Sequence, residues 1–409
     1  MKYKKTVFYI LFLFFSTTFS QQLSEIVDTR IGTKGESLAC GYSFIGATYP
    51  FGMVQFTPSF FSPQKGFVVT QLSGAGCSNM GNFPVVPMAG NLKDSPFDMN
   101  SLDPFESVNN ASAGYLSVNS KDDITSRLTV TKRSAIAQFK FKNSKKGTII
   151  IGSGVNSSDA KHIKNSEINI TSSTTCEGFT EGGDFCGTET PYKVYFAAEF
   201  DRPANELGTW SGNELTQSLI NKGKNSGAFF TFSTENNNEV NYRIAISFVS
   251  IENAKENLMS EKLKTSFDGY LTNTQNVWNK HLSKIKISTT NDDKKIQFYT
   301  NFYHSLIHPN IVSDINGDYM GADFKVYNNS NGKEHYSSFS VWDTYRTQAQ
   351  LLAILFPKES SEMMQSLVNF AEQAGGYGRW ILANIETGIM QGDPTPILIS
   401  NSFAFGAKD

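Results

Sequence analysis

The sequence is short of the features that would declare most function classes. No block of lysines and arginines interrupts its 409 residues and the net charge is -2, so the electrostatic stripe that nucleic acid requires is missing. Its four cysteines form no CxxC pair, which excludes zinc ribbons and dithiol redox motifs. No GxSxG occurs, so an esterase-type nucleophile elbow is absent. The apolar run from Val7 to Phe15 falls far short of the ~20 residues that span a bilayer.

What is present suits an exported globular protein. Apolar residues at 39% and charged residues at 18% are enough for a packed core, and the length favours two domains over one. Lys2, Lys4 and Lys5 precede the apolar run, and Thr18 and Ser20 are small residues where a signal peptidase reads. Residues 1–20 therefore read as an export signal cut before Gln21, with no cysteine at the cut to carry a lipid and no stable membrane anchor. The expected location is the periplasm or beyond the cell. Export permits disulfides among Cys40, Cys77, Cys176 and Cys186. Cys176 and Cys186 flank a Gly-rich loop and are a candidate short bridge. Cys40 and Cys77 are then free thiols or a second bridge.

Periodicity divides the chain. Val240, Tyr242, Ile244, Ile246 and Phe248 alternate with polar or small residues, as do Val194–Phe200 and Ala137–Phe141, the period of strands with one buried face. Gly, Asn and Ser clusters punctuate these runs, so residues 21–251 predict a large antiparallel β-sandwich. Residues 252–289 lack alternation and predict a helical connector, with Trp278 docking it as a core residue. Residues 290–409 predict a helical domain. Asn291-Asp292-Asp293 opens its first helix, a second is expected over about 343–356, and a third over about 359–374 with Gly375 as its stop.

Four segments could carry chemistry. Gly46–Met53 and Leu72–Cys77 are too Gly-rich for strand interiors; they suit turns or close backbone approach to a ligand. Trp342, Asp343 and Arg346 offer a flat apolar face, a carboxylate at a helix start and a forked donor one turn later, which suits a sugar. The structural alternative is an Asp helix cap paired with Arg346 beside a core Trp342. Glu386 has apolar neighbours in sequence, where desolvation would raise its pKa and keep it a proton donor; otherwise it is an exposed helix-start glutamate. Asp314–Asp318 begins like a calcium loop, but Tyr319 and Lys325 stand where Gly and Glu belong, so an Asn316-Gly317 turn fits better. His304 and His308 have metal spacing without a general-base Glu between them, which favours a structural pair.

Taken in order, Val27-Asp28 with Ile31-Gly32-Thr33, GATYPFGMVQFTP, LSGAGCSNMGNFPVVPM, FYTNFYHSLIHPN, WDTYR and ILANIETGIMQGDPTP resemble glycoside hydrolase family 92, the calcium-dependent exo-α-mannosidases. The resemblance implies a β-sandwich packed on an (α/α)6 barrel whose later part lies beyond Asp409, together with the general base, so that this chain alone is expected to be inert. It implies Trp342, Asp343, Arg346 and Cys77 at the mannose, Glu386 as the acid, calcium on the sugar hydroxyls and a mannose-containing glycan, N-glycan or mannan, as substrate. Ile385, where the family commonly has Asn, and the short Pro58–Gly66 segment bear on linkage preference. Two further readings remain: a relative that cleaves mannosyl phosphate, where the acid is dispensable, and a glycan-binding protein without catalysis.

Overall fold

A computed structural model describes residues 22–33, 41–59, 65–102, 106–156, 162–329 and 331–408. The expected signal segment and Cys40 lie outside them.

The alternating runs fold as the sequence indicated. Two antiparallel sheets, of eight and nine strands among the described residues, pack face to face. Val194, Phe196, Ala198 and Phe200 point inward from Thr188–Phe200, and Val240, Tyr242, Ile244 and Ile246 do so from the paired strand Glu239–Ser247. Ile149 and Ile151 on Lys146–Gly152, with Phe230 and Phe232 on Ser226–Ser233, meet them from the other sheet. Phe200 touches the rings of Phe230, Phe232 and Tyr242, so the apolar period of two becomes a dry inter-sheet layer.

Eight helices complete the described chain: α1 (Leu23–Ile26), α2 (Ile251–Ser260), α3 (Phe267–Leu282), α4 (Asp292–Ser305), α5 (Val341–Thr344), α6 (Gln348–Leu355), α7 (Pro357–Ala374) and α8 (Thr395–Phe405). The N-terminal all-β domain is thus followed by a helical one. In α4 the Asn291 side chain caps the N-terminus by accepting from the Lys294 amide at 2.9 Å, and α7 stops at Gly375, φ +78°. α2 lies on the outer face of the nine-stranded sheet through Ala254 and Leu258 against Ala197 and Ala245. Trp278 of α3 is fully buried and donates its indole N–H to Thr48 O at 2.7 Å, so it docks the helix as expected. Gly114 permits this: a Cβ there would come within 2.5 Å of Thr274, and its φ is +77°.

Two expectations need correction. The second helix, read from sequence as continuous over about 343–356, is broken at residues 345–347, with Thr347 at φ +62°. Gln348, the first residue of α6, donates its side-chain amide to Ser305 O and His308 O at the end of α4, satisfying carbonyls that helix leaves open. The region after residue 290 also carries short strands between its helices, among them Asp318–Met320 paired with Val326–Asn328 around the Asn316-Gly317 turn.

The domains are joined by backbone as well as side chains. Phe51, at φ +55°, donates its N–H to Leu306 O and accepts from the Ile311 amide, both at 2.9 Å. Asn310 adds a bond to Gly52 O at 2.9 Å, and His308 Nε2 accepts the Ser73 amide at 2.9 Å. Deeper in the seam, Asp314 accepts from Ser247, Asn253 and Asn257 at 2.6–2.9 Å, while Arg133 donates to Ser313 O and pairs with Glu334 at 2.6 Å.

Burial of these groups makes the seam pH-sensitive. Desolvation lowers the pKa of His304 and of His308 to about 4 and that of His335 to about 3. Their stabilisation is complete above the unfolded value near 6.5 and is lost as pH falls toward 4. Burial raises Asp314 to about 6, which acts oppositely: its contribution is complete below about 3.8 and is lost as pH rises through 6. With three histidines against one aspartate, the urea midpoint should fall between pH 7 and pH 4.5, and His308→Asn should flatten that fall. An equal or higher midpoint at pH 4.5 would show that these histidines are not held neutral.

Candidate active site

Beside the seam a cavity of about 460 Å³ opens between the domains, within the roughly 300–1,000 Å³ usual for small-ligand sites. The sandwich supplies Ile31, Gly32, Gly41, Ser43 and the loop Leu72–Ala75. The helical domain supplies Asn301 and His304 from α4, then His308, Ser340, Asp343, Gln348 and Trp380. Four of the six segments that carry the family resemblance line this space. Of the other two, GATYPFGMVQFTP holds the domains together through Phe51 and Gly52, and ILANIETGIMQGDPTP follows directly on Trp380 of the wall.

Asp343 reaches the wall because α5 is short. Phe339–Ser340 pairs with Trp380–Leu382, and the chain turns from that strand directly into α5, with Thr344 Oγ1 donating to Ser340 O at 2.9 Å. The Asp343 carboxylate accepts from the Ser340 hydroxyl and is otherwise open to the cavity side. Trp342 and Arg346 do not line the cavity. Trp342 is 46% exposed, and Arg346 donates to the Tyr345 hydroxyl at 2.7 Å while lying over that ring. The structural alternative fails too, since Asp343 makes no pair with Arg346 and Trp342 is not in the core.

Glu386 sits elsewhere than the sequence suggested. It stands on the strand Ile385–Glu386, paired with Ile381, and is neither buried among apolar side chains nor at a helix start. Its Oε2 accepts from the amides of Arg379 (2.7 Å) and Trp380 (3.3 Å), and its Oε1 accepts from Gly388 (3.0 Å). A Cβ at position 378 would lie 2.6 Å from Ile381 Cγ1 and 2.7 Å from Oε2, so a larger residue there would push both side chains aside. The Glu386 side chain is exposed and turns back onto the backbone amides of its own hairpin. It is Trp380, on the facing strand, that enters the cavity wall.

Cys77 is committed to a disulfide with Cys186, Cα–Cα 4.9 Å, and Cys176 is a buried free thiol. The short Cys176–Cys186 bridge does not form because both residues belong to one extended run, Thr175–Phe185 and its turn. At about 3.3 Å per residue they lie tens of ångströms apart. The bridge instead ties the loop following Leu72–Ala75 to the hairpin tip whose Phe185 ring contacts Trp380 at 4.6 Å. Cys77 thereby braces the cavity lip and is not in its wall. Sequence reading set His304 and His308 aside as structural; the structure puts both in the wall, and their i, i+4 spacing on and beyond α4 was the available signal.

A sandwich and a helical domain that share a cavity at their junction have the layout of a two-domain glycoside hydrolase. Residues 26–247 match the glycosyl hydrolase family 92 N-terminal domain and residues 253–409 the family 92 catalytic domain, so the chain belongs to glycosyl hydrolase family 92. It is similar to the family GH92 α-mannosidase BT3965 from Bacteroides thetaiotaomicron, at 25% identity and TM-score 0.80, covering 91% of this chain and 53% of that one. The same mannosidase in complex with mannoimidazole gives 25% identity and TM-score 0.79, over 90% and 51% of the respective chains. The inverting mannosidase BT2199 from the same organism shares the fold, at 22% identity and TM-score 0.83, over 95% and 54%. The chain thus spans about half the length of these solved structures. No curated protein matches it significantly.

Peptide mapping without reduction should yield a Cys77–Cys186 crosslinked fragment and a Cys176 that alkylates only after unfolding. Cys77→Ser combined with Cys186→Ser should cost about 2–4 kcal/mol of stability. A mapped Cys176–Cys186 link would overturn the brace.

Proposed function

We propose that the chain is part of an exported, inverting exo-α-mannosidase that releases terminal α-linked mannose from N-glycans or mannan with the help of calcium. The observation that carries this reading is the seam cavity, to which four of the six resembling segments contribute and in whose wall Asp343 stands. The likeness to an α-mannosidase solved with mannoimidazole supports the choice of sugar. In this reading Asp343 accepts from mannose hydroxyls, Trp380 closes one side of the ring, and exposed Trp342 and Arg346 lie just outside to meet the rest of the glycan. Cys77 acts on the substrate only by holding the lip.

Inversion needs an acid and a base about 6.5–9.5 Å apart with water between them. Glu386 is the carboxylate this reading assigns to the leaving-group oxygen, from the hairpin that carries Trp380. To act there its side chain must leave the three amides that hold it. Calcium supplies charge that favours a flattened ring when it is bound. Among the described residues no group of three or more His, Cys, Asp or Glu side chains could hold a metal ion, and Asp314 is fully engaged by Ser247, Asn253 and Asn257. The described residues therefore do not by themselves make the calcium site.

One observation favours a second reading, glycan binding without hydrolysis: the cavity is built, yet Glu386 faces away from it. Assays should use this sequence extended to the length of the solved relatives, with the 409-residue chain beside it. Glu386→Gln is expected to cut hydrolysis of mannosides with poor leaving groups by about 10²–10⁴-fold and to spare those with an activated phenol. Equal loss on both would make Glu386 a brace for the Gly378–Gly388 hairpin.

Asp343→Ala should weaken mannose binding strongly while moving the melting temperature little, because the residue is exposed and its only hydrogen bond is to Ser340. Unchanged affinity with a lowered melting point would remove Asp343 from the sugar.

A further inference from the structure

The polar groups around the cavity differ in how far the protein already uses them. His308 is fully engaged: Nε2 accepts the Ser73 amide and Nδ1 meets Asn310 Oδ1 at 2.5 Å. Gln348 spends its amide N–H groups on two carbonyls, and Thr344 spends its hydroxyl on Ser340 O. The His304 side chain has no hydrogen bond to any described residue, and its Nε2 is sealed from water without a partner. A buried polar atom left unpaired costs free energy, and among the described residues His304 Nε2 is the one such atom carried by a residue of the cavity wall, where a ligand can supply the partner. A half-turn of an imidazole about its Cβ–Cγ bond exchanges nitrogen and carbon positions in nearly the same volume, so the ring can present a nitrogen to the cavity without repacking.

Position strengthens the case. Asn301 stands three residues before His304 on α4, so both side chains leave the same face of the helix, and both line the cavity. Asn301 is exposed, with no hydrogen bond to a described residue. Burial keeps the His304 ring neutral, its pKa lowered to about 4, so it offers one donor and one acceptor at neutral pH. A neutral imidazole and a carboxamide side by side match two adjacent hydroxyls of a sugar ring, each of which gives and takes one hydrogen bond.

We propose that His304, with Asn301 one turn before it, is the specificity-determining pair of this cavity, hydrogen-bonding adjacent hydroxyls of the sugar ring while Asp343 engages the ring from α5. This rests on the reading of the cavity as the mannose site, and adds to it which residues sort one epimer from another. An axial and an equatorial hydroxyl at the same carbon point in different directions, and a rigid pair on one helix face can meet only one of those arrangements well. Rejecting the other leaves a buried ring nitrogen unpaired again, which is the origin of the discrimination.

Calorimetry on the full chain with mannose and with glucose, its 2-epimer, tests the pair. His304→Ala should weaken mannose binding by about tenfold and shrink the mannose-to-glucose affinity ratio, with His304→Gln recovering part of both. The imidazole proton resonance missing from the spectrum of His304→Gln identifies His304 in the wild-type chain, and that resonance should move when mannose is added. The wild-type resonance decides the matter if His304→Ala does not fold. Mannose binding with the resonance unmoved, or with affinity and ratio unchanged in His304→Ala, overturns the inference and leaves the mannose reading intact. A wild-type chain that binds no mannose overturns both.

Discussion

The structure depends on a two-residue piece of backbone pairing. Phe51 gives its N–H to Leu306 and takes one from Ile311, so the loop of the sandwich is stitched directly onto the chain leaving α4. Backbone bonds of this kind fix register as well as proximity, because both partners are held by their own elements. The stitch requires Phe51 to sit at φ +55°, a conformation that costs free energy in a non-glycine residue and persists only where its surroundings over-determine it. Here the surroundings are the ring contact with Phe356 at 5.9 Å, the Asn310 bond to Gly52, and a Cβ-free Gly52 wedged against Tyr49 and Lys132 O. Loosen this stitch and His308 parts from Ser73, the Leu72–Ala75 lip leaves α4, and the cavity ceases to have two walls.

The same dependence explains which readings of the sequence succeed. Val194–Phe200 and Val240–Phe248 declare themselves because a strand with one dry face imposes a period of two on every residue it contains. Trp278 is legible for a similar reason: a large aromatic on a helix among polar neighbours has only a core to go to. The helix expected over 343–356 goes wrong because its apolar and polar spacing is compatible with continuity, while the break is set by Gln348 reaching carbonyls some forty residues away. Cys77 and Cys186 find each other across 109 residues for the same kind of reason. Nothing local to either cysteine specifies the partner; the fold of the long hairpin does.

Glu386 shows where a motif stops being informative. Its neighbours Ile385, Ile381 and Leu382 are buried, which in sequence suggests a buried carboxylate. Glu386, however, is the last residue of its two-residue strand, and its side chain is exposed although its cross-strand partner Ile381 is buried. There it satisfies the amides of Arg379, Trp380 and Gly388, groups that a tight β-turn exposes. Apolar sequence neighbours therefore predict burial of a strand residue less well than those of a helix residue, where adjacent positions share much of their environment.

The contrast between His304 and His308 carries the argument about function further than either residue alone. Both lie on the domain seam, both are pushed toward neutrality by burial, and they differ in whether the protein completes their hydrogen bonds. His335, also buried on the seam, leaves its Nδ1 unpaired as well, but only His304 joins an unpaired ring nitrogen to a place in the cavity wall. That one histidine is consumed in holding the domains together, while its neighbour one turn earlier is left open in the wall, separates the fixed part of the seam from the part held ready for a ligand. Asp343 and Asn301, also uncommitted beyond a single local contact or none, lie around the same space. The imidazole of His304, the carboxamide of Asn301 and the carboxylate of Asp343 share one cavity where the two domains meet, and neutral donors with a single carboxylate suit a polyhydroxylated ring better than a charged or an apolar ligand.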